Sequence, residues 1–185
     1  MEIKKELTAS GVKLNLILIP FIVAVCVAMD ELYGYFWGSI YDYNLSGWSM
    51  MVIIIIAVVV HEALHGFTWM FAGNLQLSDI KYGIMWKALM PFAHSKKPLS
   101  KRAYQLGAVM PGIVLGIVPY VGGLLMGQTE VAFIGMIMTL CAAGDVWILW
   151  AIRKEPVDAL ILDHPSKAGC YVVAPAEDSA SIATI

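Results

Sequence analysis

Four long apolar stretches, separated by more polar connections, dominate the pattern of the chain. They cover about residues 14–36, 49–72, 105–126 and 130–152. Each is close to the roughly 20 residues that a helix needs to cross the hydrocarbon core of a bilayer. The pattern therefore predicts an all-α membrane protein with four transmembrane helices, followed by a cytoplasmic tail over residues 153–185.

The composition agrees with one membrane domain. Of the 185 residues, 59% are hydrophobic and only 14% are charged. A soluble domain of this length would need more polar surface than that. The three cysteines, Cys26, Cys141 and Cys170, are scattered, and their spacing indicates neither a disulfide framework nor a cysteine-rich zinc site.

Two polar segments interrupt or follow the apolar pattern. In the connection over about 73–104, Tyr82, Ile84, Trp86 and Leu89 alternate with smaller or polar residues. This alternation predicts a short strand or hairpin at the membrane surface. In the tail, residues 171–173 are a candidate for another short strand.

The third apolar stretch carries residues that disfavour a regular helix. Pro111, Gly112, Gly116 and Pro119 lie within it. Membrane helices tolerate proline and glycine where neighbouring helices or a cavity satisfy the freed backbone groups. We therefore expect close packing or a locally broken helix here. The pair Pro111 and Gly112 is a candidate for lining the active cavity, and a packing role is an equal alternative.

The positions of the basic residues predict the topology. All 12 lysines and arginines fall within three segments, at residues 4–13, 81–102 and 153–167. The connections at about 37–48 and 127–129 contain neither residue type. By the positive-inside rule, the three basic segments are cytoplasmic. The sequence thus predicts a multi-pass protein of the cell membrane with both termini in the cytoplasm.

A cleaved secretory signal is the alternative interpretation of the first apolar stretch. A basic start precedes the apolar run, as a signal peptide requires. Apolar and aromatic residues continue as far as Trp37, however, which is typical of a retained helix with an interfacial aromatic belt. We expect this helix to be retained.

The second apolar stretch contains the segment His61-Glu62-Ala63-Leu64-His65 at its middle. A spacing of four residues places both histidines on one helical face, so that both imidazoles can bind one ion. Glu62 is then the candidate general base, which takes a proton from water at the metal. A structural His-Glu cluster is the alternative, but ionisable groups in a bilayer are costly unless they are paired, hydrated or coordinated.

Asp145 is the candidate third ligand. It is the only acidic residue well inside another apolar stretch, and it follows Gly144, which allows close helix packing. Counting 1.5 Å per residue from the outer helix starts places His65 and Asp145 at similar depths. The alternative is that Asp145 pairs with a basic residue or faces a polar cavity without binding metal.

Three further residues are weaker candidates for substrate or cavity contacts. His94 lies in the polar connection, where a solvated surface histidine is the commoner case. Asp163 and His164, followed by Pro165, could contact a metal or substrate, and they fit a proline-capped turn equally well.

Together these motifs resemble a zincin-peptidase family of small prokaryotic membrane proteins, first recorded as a domain of unknown function. The matching segments are HEALHG at 61–66, MPG at 110–112, AGD at 143–145, DHP at 163–165 and GCY at 169–171. The arrangement is also similar to the site-2-protease class, in which an aspartate from a later membrane helix joins HExxH. Here the second motif is Gly-Asp and not the Leu-Asp-Gly of typical members. The resemblance implies His61, His65 and Asp145 as ligands of one zinc ion, with Glu62 as the base.

We expect a membrane-embedded zinc metalloprotease that hydrolyses peptide bonds of a membrane protein or peptide, with the segment 73–104 as the gate for water and substrate. A divalent-metal transporter, or a metal-binding membrane protein without peptidase activity, is the alternative, since transporters also place such groups at mid-membrane. The expected partners are the lipid bilayer and the substrate, with no nucleic acid. The oligomeric state is left open.

Overall fold

Four long helices form most of the molecule. The computed structural model describes residues 2–9, 11–85 and 90–174, without the side chains of 11–15, 85 and 90. The helices are α1 (Gly11–Trp37), α2 (Gly47–Ala72), α3 (Lys101–Met126) and α4 (Thr129–Ile152). All four are long and apolar enough to cross a membrane. The prediction of four such helices is confirmed, with bounds that agree to within a few residues.

The protein is mostly helical, as expected, but it forms more antiparallel sheet than the hairpin and the short strand that the sequence predicts. The strands are β1 (Ile3–Thr8), β2 (Ile80–Met85), β3 (Met90–Ser95), β4 (Leu99–Ser100), β5 (Leu160–Asp163) and β6 (Gly169–Val173). Strands β1, β6, β5 and β4 form one sheet in that order, and β2 pairs with β3. Ile3 pairs with Val173 across nearly the whole chain. A local hydrophobic pattern cannot predict pairing between strands that are so far apart in the sequence.

The hairpin expected between the second and third helices is present. Strands β2 and β3 pair from Ile80 opposite Ser95 to Met85 opposite Met90. Tyr82 and Ile84 lie in β2, whereas the predicted positions 86 and 89 fall outside the described residues. The strand expected at 171–173 is also confirmed, as part of β6.

The four-stranded sheet joins three separate parts of the chain at one end of the helices. Strand β1 precedes α1, β4 leads directly into α3, and β5 and β6 follow α4. Lys101, the first residue of α3, is buried and donates from Nζ to the carbonyl oxygens of Arg153 and Glu155. A cation placed at the last carbonyls of a helix stabilises that end. The sheet is thus fixed to both α3 and α4.

Helices α3 and α4 are both irregular where they pack together. Residues Gly112–Ile117 of α3 form a π-helical stretch, and α4 is interrupted at Ala142. A Cβ at Gly116 would meet Thr139 on α4, so the close approach of the helices depends on glycine. The expected close packing of the third helix is present, and instead of a break this helix contains a π-helical stretch.

Buried residues form two clusters, and the outer faces of the helices stay apolar. The cluster near the sheet includes Trp69, Leu99 and Tyr104, and the cluster at the opposite end includes Tyr33 and Met136. Many large apolar side chains are nevertheless exposed, among them Phe71, Leu125 and Leu16. Apolar surface of this extent is unusual in a soluble monomer and suits contact with lipid.

Candidate metal centre

The two histidines of the HEALH segment point to the inside of the helix bundle. His61 and His65 lie one turn apart in the middle of α2 and are each 6% exposed. Their ring centroids are 4.9 Å apart. The spacing of four residues thus brings both imidazoles to one buried place, as the sequence predicts.

Asp145 of α4 meets both histidines. Its Oδ2 lies 3.2 Å from Nε2 of His61, and its Oδ1 lies 3.4 Å from Nε2 of His65. The interruption at Ala142 places Asp145 in the first turn of the following helical segment. The potential ligand atoms of the three residues all lie within 4.8 Å of one another. These residues therefore form a group that could hold a metal ion.

The tautomer of His65 follows from its contact with α3. Nδ1 of His65 lies 2.9 Å from the carbonyl oxygen of Gly107, which can only accept. Nδ1 therefore carries the proton in the neutral ring, and the lone pair of Nε2 faces Asp145. A hydrogen bond from the second ring nitrogen to a carbonyl is the usual way in which a ligating histidine is oriented.

The chemistry of the group fits a zinc ion. Two imidazoles and one carboxylate are a ligand set found in catalytic zinc sites, which keep a fourth position open. With a neutral His65 ring, its Nε2 lone pair and an oxygen of Asp145 face each other, and a bound cation would relieve that repulsion. His61 Nδ1 is buried and has no hydrogen-bond partner among the described residues. The hydrogen-bond contact of the His61 ring is therefore made by Nε2, with Asp145.

Glu62 lines a cavity together with the three potential ligands. This cavity has a volume of about 200 Å³. Its lining comes from the helices α2, α3 and α4, from residues 91–94 of strand β3, and from residues 163 and 167–169 after α4. Glu62 is partly buried, so its carboxylate is not freely solvated. The hairpin therefore lies directly beside the HEALH segment.

His94 lies in the same cavity, where the sequence had placed it only as a weak candidate. Its ring packs against Phe92, with centroids 4.3 Å apart. Burial, followed by the nearby charges of Lys81 and His164, lowers the pKa of His94 to about 4. His94 is consequently neutral near pH 7 and can donate one hydrogen bond and accept another.

The remaining predicted residues occupy different places. Asp163 lines the cavity, but His164 does not. Nδ1 of His164 accepts from the backbone N–H groups of Ser166 and Lys167, which is the turn that the sequence allowed. Pro111 is fully buried in the helix core. Gly112 lines a second, mainly apolar hollow of about 190 Å³, which shares Asp145 with the first cavity.

An ion pair lies at the rim of the cavity. Lys167, which is among the lining residues, donates to the Glu6 carboxylate at 2.7 Å. This hydrogen bond is the main reason why the pKa of Glu6 is lowered and that of Lys167 is raised. The N-terminal strand is thereby linked to the turn that precedes β6.

Sequence reasoning missed the residues that support the histidines. Trp69, one turn after His65, stacks on the His65 ring with centroids 5.6 Å apart, and Tyr104 stacks on Trp69 at the same spacing. Gly107 brings α3 so close that a Cβ there would overlap the Trp69 indole. The aromatic residue at a spacing of four from His65 was the available signal for this stack.

Residues 54–160 match the model of the family described as "Putative zincin peptidase". This segment is more than half of the 185 residues, and the chain therefore belongs to that family. It contains the HEALH segment, the β2–β3 hairpin and Asp145, and it ends before Asp163. No curated protein and no solved structure matches the chain.

Proposed function

We propose that the protein is a membrane-embedded zinc metalloprotease of the endopeptidase type. The observation that carries this proposal is the convergence of His61, His65 and Asp145, with the lone pair of His65 aimed at Asp145 by the carbonyl of Gly107. Membership in the zincin-peptidase family supports the same activity.

The residues of the cavity supply the parts of a hydrolytic mechanism. One zinc ion, held by His61, His65 and Asp145, would supply a Lewis acid that polarises the scissile carbonyl and lowers the pKa of a water to about 7. Glu62 accepts the proton of the attacking water and delivers it to the amine that leaves. Its place in the same cavity as the histidines brings it within the site where that proton is released.

Strand β3 is the proposed binding place for the substrate, a membrane protein or a peptide. Residues 91–94 line the cavity, while β2 covers only the other edge of this strand. An extended peptide that adds to an edge strand exposes its backbone and holds it by main-chain hydrogen bonds. The Glu62 carboxylate accepts a hydrogen bond from the backbone N–H of Ala93, so a peptide bound along β3 would lie directly beside the proposed base. The hairpin would then form the gate to the site.

We place the protein in the cell membrane, with four membrane-spanning helices and both termini in the cytoplasm. The basic residues lie before or in the first turn of α1, between α2 and α3 or in the first turn of α3, and after α4. The sheet gathers parts of these same three segments at one end of the helices. Segments that are joined in one sheet lie on one side of a bilayer, and their lysines and arginines favour the cytoplasmic side.

A divalent-metal transporter is the competing proposal. Transport requires further polar sites along a path through the membrane. Within residues 2–9, 11–85 and 90–174, one group of three His, Cys, Asp or Glu residues has the spacing of metal ligands. A single such group suits a catalytic centre better than a conduction path.

The deciding experiment compares proteolysis with metal transport. Wild-type protein is co-expressed with a panel of single-span membrane proteins, and cleavage is read by the size of tagged fragments. The same protein in sealed vesicles is assayed for zinc uptake with an internal dye. We expect cleavage of at least one substrate and no zinc flux above that of empty vesicles. Zinc flux without any cleavage would exclude the protease.

A further inference from the structure

Asp163 connects three parts of the chain through one half-buried carboxylate. It is the last residue of β5, and its side chain accepts a hydrogen bond of 2.5 Å from the Tyr104 hydroxyl of α3. Its other oxygen accepts a hydrogen bond of 2.7 Å from the backbone N–H of Ser95. Both carboxylate oxygens are therefore used, and each holds a different element.

The bond to Ser95 fixes strand β3 at its C-terminal end. Ser95 is buried and directly follows residues 91–94, which line the cavity together with Glu62. The hairpin is also held against α2, since Gly66 leaves just enough room for the Tyr82 side chain of β2. Asp163 thus helps to set the position of β3 relative to the HEALH segment, together with the Tyr82 contact and the hydrogen bond from the Ala93 backbone to Glu62.

The bond to Tyr104 reaches the histidine side of the cavity. The Tyr104 ring stacks on Trp69 with an interplanar angle of 20°, and Trp69 stacks on His65 with an angle of 23°. The indole N–H of Trp69 also donates to the backbone carbonyl of Tyr104 at 3.4 Å. A continuous stack of rings therefore connects Tyr104, which binds Asp163, to His65 of the candidate metal site.

We infer that Asp163 is a positioning residue, which holds the substrate-binding strand β3 at a fixed distance from the metal site. This inference rests on the proposed peptidase function and assigns a role to a residue beyond the matched family segment. Asp163 lies outside the group of potential metal ligands and bonds to Ser95 and Tyr104, so by this inference it acts through those two residues. The sheet formed by β5 and β6 is, by this inference, part of the peptidase unit.

The test measures how firmly β3 is held in place, and it requires no substrate. Hydrogen exchange is measured on zinc-loaded protein in detergent, for wild type, Asp163→Ala, Asp163→Asn and Asp158→Ala. In Asp163→Ala the Ser95 N–H loses its acceptor, and we expect the segment 91–96 to exchange about tenfold faster or more. In Asp163→Asn an amide oxygen can still accept, so most of the protection should return. Asp158 is exposed on the same segment of the tail and serves as the matched control, with exchange like wild type.

A second set of measurements distinguishes a displaced β3 from a general loss of structure in the variant. Zinc content and exchange in α2 should stay at the wild-type level in Asp163→Ala. With a substrate found in the panel, KM should rise about tenfold while kcat changes little, since binding to β3 is weakened and Glu62 is untouched. If Asp163→Ala does not fold, Tyr104→Phe removes only the hydroxyl and should raise exchange of segment 91–96 by a smaller factor.

Two results would overturn the inference. One is unchanged exchange of segment 91–96 in both Asp163→Ala and Tyr104→Phe. The other is faster exchange of that segment with a wild-type KM, which would make Asp163 purely structural. If the wild type cleaves no substrate, the proposed peptidase function is contradicted. The hydrogen-exchange measurement needs no substrate, so it still decides whether Asp163 positions β3.

Discussion

The Nδ1–H of His65 donates a hydrogen bond of 2.9 Å to the carbonyl oxygen of Gly107 on the neighbouring helix. This contact couples helix packing to metal chemistry, because it selects the tautomer that presents Nε2 to Asp145. It depends on the absence of a side chain at position 107, where a Cβ would overlap the Trp69 indole. Several expectations follow from this relationship and from the cavity beside it.

Gly107→Ala should weaken zinc binding without removing a ligand. The added methyl group pushes α3 away from Trp69 and lengthens the bond to His65, and loss of such a supporting bond typically costs 10–100-fold in metal affinity. Overpacking at a helix contact also destabilises a protein by about 1–3 kcal/mol. Zinc affinity is measured by competition with a chelating dye.

The matched control for this variant is Gly122→Ala on the same helix, where an added Cβ meets no atom within 4 Å. It should bind zinc like wild type. Equal zinc affinity in Gly107→Ala and Gly122→Ala would show that the carbonyl of Gly107 does not orient His65.

His61→Ala, His65→Ala and Asp145→Ala should each lower the zinc content of the purified protein to a small fraction. Each variant leaves only two protein ligands, which is too few for tight binding. His94→Ala is the control, since His94 lines the same cavity but lies outside the ligand group. Metal analysis after dialysis gives the stoichiometry. Full zinc occupancy in Asp145→Ala would remove Asp145 from the site.

The hydrophobic pattern was sufficient for the helices and for the central site. Runs of about 20 apolar residues must lie in lipid or in a core, so α1–α4 follow from local sequence alone. The approach of Asp145 to the histidines followed from the cost of a carboxylate inside an apolar helix. The four-stranded sheet did not follow, because β1 is short and charged and pairs with residues near the other end of the chain.

The contacts that orient the residues of the site could not be predicted from the sequence either. The carbonyl of Gly107 carries no side-chain signal, and its contact with His65 exists only because two helices pack closely. Asp163 fitted a turn as well as a binding role, since the sequence does not reveal that Ser95 and Tyr104 are its partners. Both contacts join segments that are distant in the sequence, and for this reason they become visible only in the folded structure.

Reporter fusions test the topology. Fusions at residues 4, 90 and 175 should give a cytoplasmic signal, and fusions at 43 and 128 should give an outside signal. The reason is that every lysine and arginine lies in the N-terminal segment, in the connection between α2 and α3 with the start of α3, or in the C-terminal tail. Paired cytoplasmic and periplasmic reporters at each site provide the internal control. An outside signal at position 90 would contradict the proposed orientation of the hairpin gate.

The stability of the protein should depend on pH through Asp163. Burial raises the pKa of Asp163 from 3.8 to about 6, against the opposing hydrogen bonds from Tyr104 and Ser95. A raised carboxyl pKa gives stability that is present below about pH 4 and is lost as the pH rises through 6. The difference corresponds to roughly 3 kcal/mol. The neighbouring Cys170 stays a neutral thiol in this range, since burial raises its pKa to about 12.

Asp163→Asn isolates this contribution, because the amide does not titrate. Unfolding midpoints of wild type and variant are compared between pH 4 and pH 8. Relative to the variant, the wild type should lose stability between pH 4 and pH 7. A constant difference between the two proteins across this range would contradict the raised pKa of Asp163.

The most direct test of the central claim measures zinc content and substrate cleavage together in Glu62→Gln. Gln is nearly isosteric, and Glu62 is not among the three potential ligands, so the variant should keep one zinc ion per chain. The amide cannot accept a proton from the attacking water, and cleavage of a substrate identified with wild type should be abolished. Zinc retention with loss of cleavage is the expected result. Cleavage at the wild-type rate by zinc-loaded Glu62→Gln would contradict the account.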